Sequence, residues 1–137
     1  MDIYADNILD HYRNPRHKVP IADANAERAE ENLTCGDKLT VQLKIANDRI
    51  AQIGWSGVGC AISQAGMSLL SEHLEGMPTE AVLKLGKHEV LNLLGVPIGP
   101  RRLKCALMSL HAVKNALREV SGKQPQSWLD TVEIADE

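Results

Sequence analysis

The segment KLTVQLKIA, residues 38–46, constrains the fold most strongly because its polar and apolar residues alternate without interruption. A period of two puts the apolar side chains on one face of an extended strand; they are Leu39, Val41, Leu43 and Ile45. One buried and one solvated face is typical of an antiparallel sheet. Asn47 and Asp48 predict a tight turn, and residues 49–55 predict the returning strand of a hairpin. A further strand is predicted over residues 27–33.

Helical periodicity dominates the rest of the chain. The apolar spacing predicts helices over residues 3–13, 60–75, 80–94 and 101–120, and a short helix near Trp128. Pro15 stops the first helix, Thr79 is the predicted N-cap of the third, and Gly76 and Gly122 end the second and the fourth. Strands that are grouped together and followed by helices predict an α+β fold, with helices packed on one face of a small antiparallel sheet.

Composition narrows the class of protein. The chain has 137 residues, of which 44% are hydrophobic, so we expect one globular domain over residues 1–137. The net charge of −3 and the presence of only four aromatic residues disfavour binding to nucleic acid. No apolar run is long enough to cross a bilayer, and the N-terminus lacks the hydrophobic core of a secretion signal, so we expect a cytoplasmic protein without a membrane partner.

Three cysteines, Cys35, Cys60 and Cys105, carry the most chemistry in the sequence. They are separated by 25 and 45 residues, and no CxxC motif is present. Each lies near the end of a predicted strand or helix, and a helix N-terminus lowers the pKa of a nearby thiol. Asp37 is two residues after Cys35, with Gly36 between them. Three thiolates and one carboxylate would form a four-ligand set suited to tetrahedral zinc or to an iron–sulfur cluster.

Other interpretations of these residues remain open on the pattern alone. Free cysteines often act as small apolar packing residues, and two of the three could form a redox switch. On a helical wheel Cys105 lies about 110° from the centre of the apolar face, which predicts a position outside the core. The histidines are alternative metal ligands; His73 is predicted to pack at the edge of its helix, and the other four are predicted to be solvated. The five are His11, His17, His73, His88 and His111.

Four segments taken together resemble a known family. The motifs NLTCGD, GVGCAISQAGMS and RRLKCALMSL, and the opening YADNILDHYRNPRH, are similar in order and spacing to those of the iron–sulfur cluster scaffold family, which includes IscU, SufU and the N-terminal domain of NifU. The resemblance covers nearly the whole chain. It implies a three-stranded sheet with helices on one side and a metal site at one end, with Cys35, Asp37, Cys60 and Cys105 as ligands or sulfur acceptors.

The resemblance also implies an activity. Family members receive persulfide sulfur from a cysteine desulfurase. Scaffold-type members assemble a [2Fe–2S] cluster and pass it to apo iron–sulfur proteins or carrier proteins, whereas SufU-type members bind zinc and act as sulfur carriers. The resemblance therefore implies a scaffold, or at most a sulfurtransferase, in which Cys35 or Cys105 accepts the sulfur. The alternative is a domain whose zinc is purely structural and whose surface binds a partner.

The chain departs from the family pattern at several positions. Lys104 stands where IscU-type scaffolds usually have a histidine, and SufU proteins also have a lysine at this place. The spacing of Cys60 and Cys105, however, leaves no room for the insertion that SufU proteins usually carry. Leu33 replaces a customary proline, and Gly66 replaces a common serine. The chain therefore combines SufU-like ligands with an IscU-like length.

Overall fold

The computed structural model describes residues 3–33 and 36–133. Three strands form one antiparallel sheet in the order β1-β2-β3; they are β1 (Ala26–Asn32), β2 (Asp37–Ala46) and β3 (Arg49–Val58). The helices are α1 (Ile3–Arg13), α2 (Ala61–Leu74), α3 (Thr79–Leu83), α4 (Lys87–Leu94), α5 (Leu103–Val120) and α6 (Trp128–Glu133), with a 3-10 turn over Pro100–Arg102. This architecture confirms the predicted α+β class.

The alternation in β2 sets which side chains face the helices. Asp37, Leu39, Val41 and Leu43 are all buried, and the residues between them are exposed or half-buried. Asp37 therefore points to the same side of the sheet as the hydrophobic core. It lies opposite Asn32 of β1, so that the connection between these two strands is only residues 33–36.

A register shift in the β2–β3 hairpin explains why β3 does not alternate strictly. Ile45 pairs with Ile50 whereas Lys44 pairs with Gln52, so Ala51 is an extra residue in β3. An extra residue of this kind reverses the facing of the residues beyond it. Ile50 and Ile53 are consequently both buried, although they are three positions apart.

Helices α2 and α5 cover the inner face of the sheet. α5 packs against β1 and β2, and α2 packs against β3, α1 and α5. Every residue of α5 from Cys105 to Leu117 is buried, because this helix has neighbours on nearly all sides. Within the residues that the structure describes, no helix is long and apolar enough to span a membrane.

The predicted helix over residues 80–94 is wrong as a single element, because it is divided into α3 and α4. Gly86 has extended backbone angles, φ −119° and ψ −176°, and its N–H donates to the Glu89 carboxylate at 2.9 Å. Glycine has a low helix propensity, and the Glu89 carboxylate stabilises the start of a new helix at this point. Thr79 is likewise not an N-cap: Pro78 holds that position, and the Thr79 hydroxyl donates to the Asp48 carbonyl oxygen.

Candidate metal centre

Three of the four predicted ligands converge at one end of the sheet. The ligand atoms of Asp37, Cys60 and Cys105 all lie within 4.8 Å of one another. Two sulfurs bound tetrahedrally to one zinc ion at 2.3 Å would be about 3.8 Å apart, so a common ion requires only a small closing of this group. The fourth predicted ligand, Cys35, lies outside the described residues.

The ends of three elements bring these ligands together. Asp37 begins β2, and Cys60 follows the end of β3, which is paired with the beginning of β2. Cys60 is also the N-cap residue of α2. Cys105 lies in the first turn of α5 and is within 3.7 Å of the Asn32 side-chain amide, which donates to its sulfur. The site therefore combines both ends of the sheet's long hairpin with two helix N-termini.

The Asp37 carboxylate is completely buried, and only one of its oxygens has hydrogen-bond partners. Oδ1 accepts the N–H of Cys60 at 2.9 Å and the hydroxyl of Ser63 at 3.4 Å. Oδ2 is buried and has no hydrogen-bond partner among the described residues. An unpartnered buried polar oxygen destabilises a fold by about 1–3 kcal/mol, or more when it carries charge. A cation shared with the two thiolates would satisfy this oxygen, so the donor set fits zinc or iron.

The position before Cys60 in the chain requires glycine. The φ of Gly59 is +152°, a backbone conformation that residues other than glycine rarely adopt. A Cβ at this position would collide with Asp37 Oδ1 and come within 2.8 Å of Ser63 Oγ. The glycine therefore allows the backbone before Cys60 to approach the buried carboxylate closely.

The two described sulfurs differ in exposure. Cys60 is half-buried, whereas Cys105 is only 2% exposed. The helical-wheel prediction that Cys105 lies outside the core was wrong. A wheel finds the most apolar face of a helix, but α5 is enclosed on more than that face, and the polar side of its first turn packs near Asn32 of β1.

Lys104 is exposed and points towards α6. Its Nζ lies 5.8 Å from the centre of the Trp128 ring, a cation–π arrangement. Trp128 in turn stacks on His111, with ring centres 3.9 Å apart and an interplanar angle of 18°. The residue that replaces the usual histidine therefore contacts α6 directly, and the stacked rings of His111 and Trp128 hold α6 against α5.

Two histidines predicted to be solvated, His11 and His111, are buried. His111 Nδ1 lies 2.6 Å from Thr131 Oγ1, and His11 Nδ1 lies 2.7 Å from Ser68 Oγ. Burial lowers the pKa of both rings, which favours their neutral forms. One sequence signal could have found them, because His11 follows Ile8 by three residues and His111 follows Leu107 by four, which places each on an apolar helix face.

The other histidines take no part in the centre either. His73 and His88 are exposed, and His17 is half-buried. Within residues 3–33 and 36–133, the group of converging ligands contains no imidazole. The described part of the site is therefore made of thiolates and a carboxylate.

Comparison with known proteins adds an independent finding. The model of the NifU-like N-terminal domain family matches residues 3–127. The chain is 30% identical over 115 residues to the iron–sulfur cluster assembly scaffold protein IscU 1 of Archaeoglobus fulgidus, covering 84% of this chain and 74% of the relative. It is 28% identical over 137 residues to the zinc-dependent sulfurtransferase SufU of Bacillus subtilis, covering 88% and 92%.

A solved structure shares the fold as well. It comes from Fervidobacterium islandicum and is described as an iron–sulfur cluster assembly scaffold protein for the SUF system. The TM-score is 0.72 at 25% sequence identity, and the match covers 82% of this chain and 94% of the other. The relatives thus include proteins named as scaffolds and one named as a sulfurtransferase.

Proposed function

The chain belongs to the family of NifU-like N-terminal domains, as its cysteine motifs predicted, and from this premise we propose that it is an iron–sulfur cluster assembly protein. It accepts persulfide sulfur from a cysteine desulfurase at a metal site formed by three cysteines and one aspartate. It then assembles [2Fe–2S] clusters, or supplies sulfur for them, and the recipients are apo iron–sulfur proteins or carrier proteins.

One observation carries this proposal. One carboxylate oxygen of Asp37 is buried without a partner among the described residues, and the Asp37 carboxylate forms a group with two cysteines whose ligand atoms lie within 4.8 Å of one another. Packing alone does not explain a buried, half-satisfied carboxylate, since such a group destabilises the fold. A metal ion or a cluster is the occupant whose charge and ligand preference match this set.

Cys35 completes the ligand set in this proposal. It is separated from Asp37 by two peptide units, so their Cα atoms cannot be more than about 7.6 Å apart. The described residues on either side of it, Leu33 and Gly36, are exposed, and the loop between β1 and β2 is short. These facts support Cys35 as a fourth ligand that a partner protein can reach from outside.

The same facts support Cys35, rather than Cys105, as the first sulfur acceptor. The sulfur of Cys105 is almost inaccessible, whereas the exposed neighbours of Cys35 leave room for a second protein. In the transfer step the Cys35 thiolate attacks the outer sulfur of the desulfurase persulfide. A new S–S bond forms on Cys35, the S–S bond of the donor breaks, and the desulfurase cysteine leaves as a thiolate. Cys105 is the acceptor in the alternative version of this step.

A second candidate is a zinc-dependent sulfur carrier, favoured by the lysine at position 104. Lysine ammonium is a poor metal ligand, and no histidine joins the described ligands, so the site offers thiolates and one carboxylate. Zinc bound there would hold the thiols deprotonated and protect them from oxidation. Two hydrogen bonds orient the ligands: the Asn32 amide donates to the Cys105 sulfur, and the Cys60 N–H donates to the Asp37 carboxylate.

Anaerobic isolation followed by metal analysis and a visible absorption spectrum separates these candidates. A coloured cluster after incubation with iron, cysteine and desulfurase supports a scaffold, whereas a colourless protein with one zinc per chain supports a carrier. Either result should be accompanied by transfer of ³⁵S from labelled cysteine, and Cys35→Ser should abolish the loading while Cys105→Ser retains it.

The structural alternative is tested by Asp37→Ala, with Asp23→Ala, an exposed acid, as the matched control. We expect Asp37→Ala to change the metal content and the rate of sulfur loading. If no labelled sulfur reaches the wild-type protein and Asp37→Ala only lowers the melting temperature, the metal is structural and the proposed function fails.

A further inference from the structure

A chain of hydrogen bonds leads from the protein surface to the Asp37 carboxylate. Lys18 Nζ lies 3.4 Å from Gln64 Oε1, Gln64 Nε2 lies 3.3 Å from Ser63 Oγ, and Ser63 Oγ lies 3.4 Å from Asp37 Oδ1. Gln64 and Ser63 are 3% and 1% exposed, so this chain is largely shielded from competing water. Lys18, Gln64 and Ser63 are not among the predicted metal ligands.

The direction of the chain is fixed at its outer end. A lysine ammonium can only donate, so the oxygen of the Gln64 amide faces Lys18 and its NH₂ group faces Ser63. Lys18 is itself held in place, because its Nζ lies 5.2 Å from the centre of the Trp55 ring. The Trp55 indole N–H donates to the Arg16 carbonyl oxygen at 2.8 Å, which fixes the loop that carries Lys18.

The donor from Gln64 decides what the Ser63 hydroxyl can do. A serine hydroxyl has one proton, and with a lone pair occupied by Gln64 that proton remains for an acceptor on the other side. The two acceptors within reach are Asp37 Oδ1 at 3.4 Å and the Cys60 carbonyl oxygen at 3.1 Å. Both belong to residues of the candidate metal centre.

One oxygen of the Asp37 carboxylate is held by its neighbours. Oδ1 accepts the Cys60 N–H at 2.9 Å and shares the single Ser63 proton with the Cys60 carbonyl oxygen, which leaves Oδ2 as the oxygen without a partner among the described residues. Groups that orient a ligand by hydrogen bonding commonly change metal affinity by about 10- to 100-fold when they are removed. The arrangement around Asp37 has the form of such a support.

We infer that Ser63 is a positioning residue for the metal centre: it holds the Asp37 carboxylate in the orientation that binds the ion, and Lys18 and Gln64 direct its hydroxyl. This inference rests on the proposed function only in requiring that the protein bind a metal at this centre. It assigns to Ser63, Gln64 and Lys18 a role in metal affinity without direct contact with the ion.

The test compares Ser63→Ala with Ser109→Ala. Ser109 is a matched control because it is also 1% exposed in a long helix, and its hydroxyl has no hydrogen-bond partner among the described residues. Affinities for Zn²⁺ and Co²⁺ are measured by competition with a chromophoric chelator, and the Co²⁺ absorption bands report the ligand geometry. We expect affinity to fall about 10- to 100-fold in Ser63→Ala and less than twofold in Ser109→Ala.

A second variant tests the direction of the chain. Gln64→Glu retains the pairing with Lys18, but an ionised carboxylate cannot donate to Ser63 and would accept its proton instead. We therefore expect weaker metal binding in Gln64→Glu as well, with shifted Co²⁺ bands. The melting temperature of the metal-free proteins separates this effect from a loss of folding, because a purely structural role would move the melting temperature and leave the affinity of the folded fraction unchanged.

The outcomes distinguish the inference from the proposal on which it rests. Equal affinities in wild type, Ser63→Ala and Ser109→Ala would overturn the positioning role and leave the metal centre intact. A wild-type protein that binds neither ion would overturn the metal centre and the positioning role together.

Discussion

Replacing Gly59 by alanine should destabilise the protein strongly, because the new side chain meets both an unfavourable backbone conformation and a collision with the buried carboxylate. The φ of +152° is unfavourable for alanine, at a cost of about 1–3 kcal/mol. The new methyl group would also collide with Asp37 Oδ1 and lie 2.8 Å from Ser63 Oγ, and forced overpacking of this kind costs about 1–3 kcal/mol. The sum, about 2–6 kcal/mol, is a large part of the total stability of roughly 5–15 kcal/mol expected for a domain.

Equilibrium unfolding in urea and a thermal melt of the metal-free protein measure this loss. At about 3–4 °C per kcal/mol for a chain of this length, the melting temperature should fall by about 6–24 °C. Two controls separate the causes. Gly76→Ala has a positive φ of +85° but no atom within 4 Å of the added methyl group, so it should lose only about 1–2 kcal/mol. Gly99→Ala has neither problem and should be close to neutral.

The difference between Gly59→Ala and Gly76→Ala isolates the collision with Asp37 and Ser63. If Gly59→Ala is as stable as Gly99→Ala, the close approach of the backbone to the buried carboxylate does not exist in solution, and the geometry argued for the metal centre is refuted. A destabilised variant that still binds zinc with wild-type affinity would show that Asp37 does not need this position.

Three other predictions follow from the same structure. Gly66→Ala should stabilise the protein by about 0.5–1 kcal/mol in urea unfolding, because a methyl group there would meet its nearest atom, the Ala106 carbonyl oxygen, at 3.5 Å and would remove a helix-interior glycine; a loss of stability would mean that α2 and α5 are closer than described. Asp37→Cys should release zinc to a chelator more slowly than the wild type, because a fourth thiolate replaces the harder carboxylate; equal or faster release would contradict the role given to Asp37. Burial lowers the pKa of His111 below its ordinary value of 6.5, so between these two pKa values the ring is protonated in the unfolded chain and neutral in the folded one. The contribution of His111 to the free energy of unfolding should therefore be fully present above pH 6.5 and fall as the pH drops towards the folded-state pKa. His111→Gln should flatten that decline in unfolding free energy, and an unchanged slope would mean that this ring does not contribute to it.

Much of the fold could be predicted because the sheet has only one buried face. The alternation in β2 reports that face directly, and the apolar residues of β3 fit once the extra residue Ala51 is included. The division between α3 and α4 was missed because it depends on a hydrogen bond from the Gly86 N–H to the Glu89 side chain, which the apolar spacing does not reveal. The burial of Cys105, His11 and His111 was missed because periodicity locates the most apolar face of a helix and not the number of its neighbours.

The candidate site was harder to predict from residue properties. Cysteines 25 and 45 residues apart carry no local signal of convergence, so the pattern offered a shared site only as one interpretation, and the family resemblance favoured it. The structure brings Asp37, Cys60 and Cys105 together through the pairing of β2 with β3 and the position of α5. The contribution of Ser63 could not be found in the sequence, since the chain of hydrogen bonds from Lys18 through Gln64 and Ser63 to Asp37 joins a loop, a helix and a strand that meet only after folding.

The position of Asp37 in β2 has a consequence for insertions and deletions. One residue added between Asp37 and Leu39 would turn the carboxylate to the solvent side of the sheet, while the strand beyond it kept its pairing. Two added residues would restore the facing but move the carboxylate by about 7 Å along the strand, beyond bonding distance of the two sulfurs. The number of residues between Asp37 and Leu39 is therefore fixed by the distance from the carboxylate to the two sulfurs.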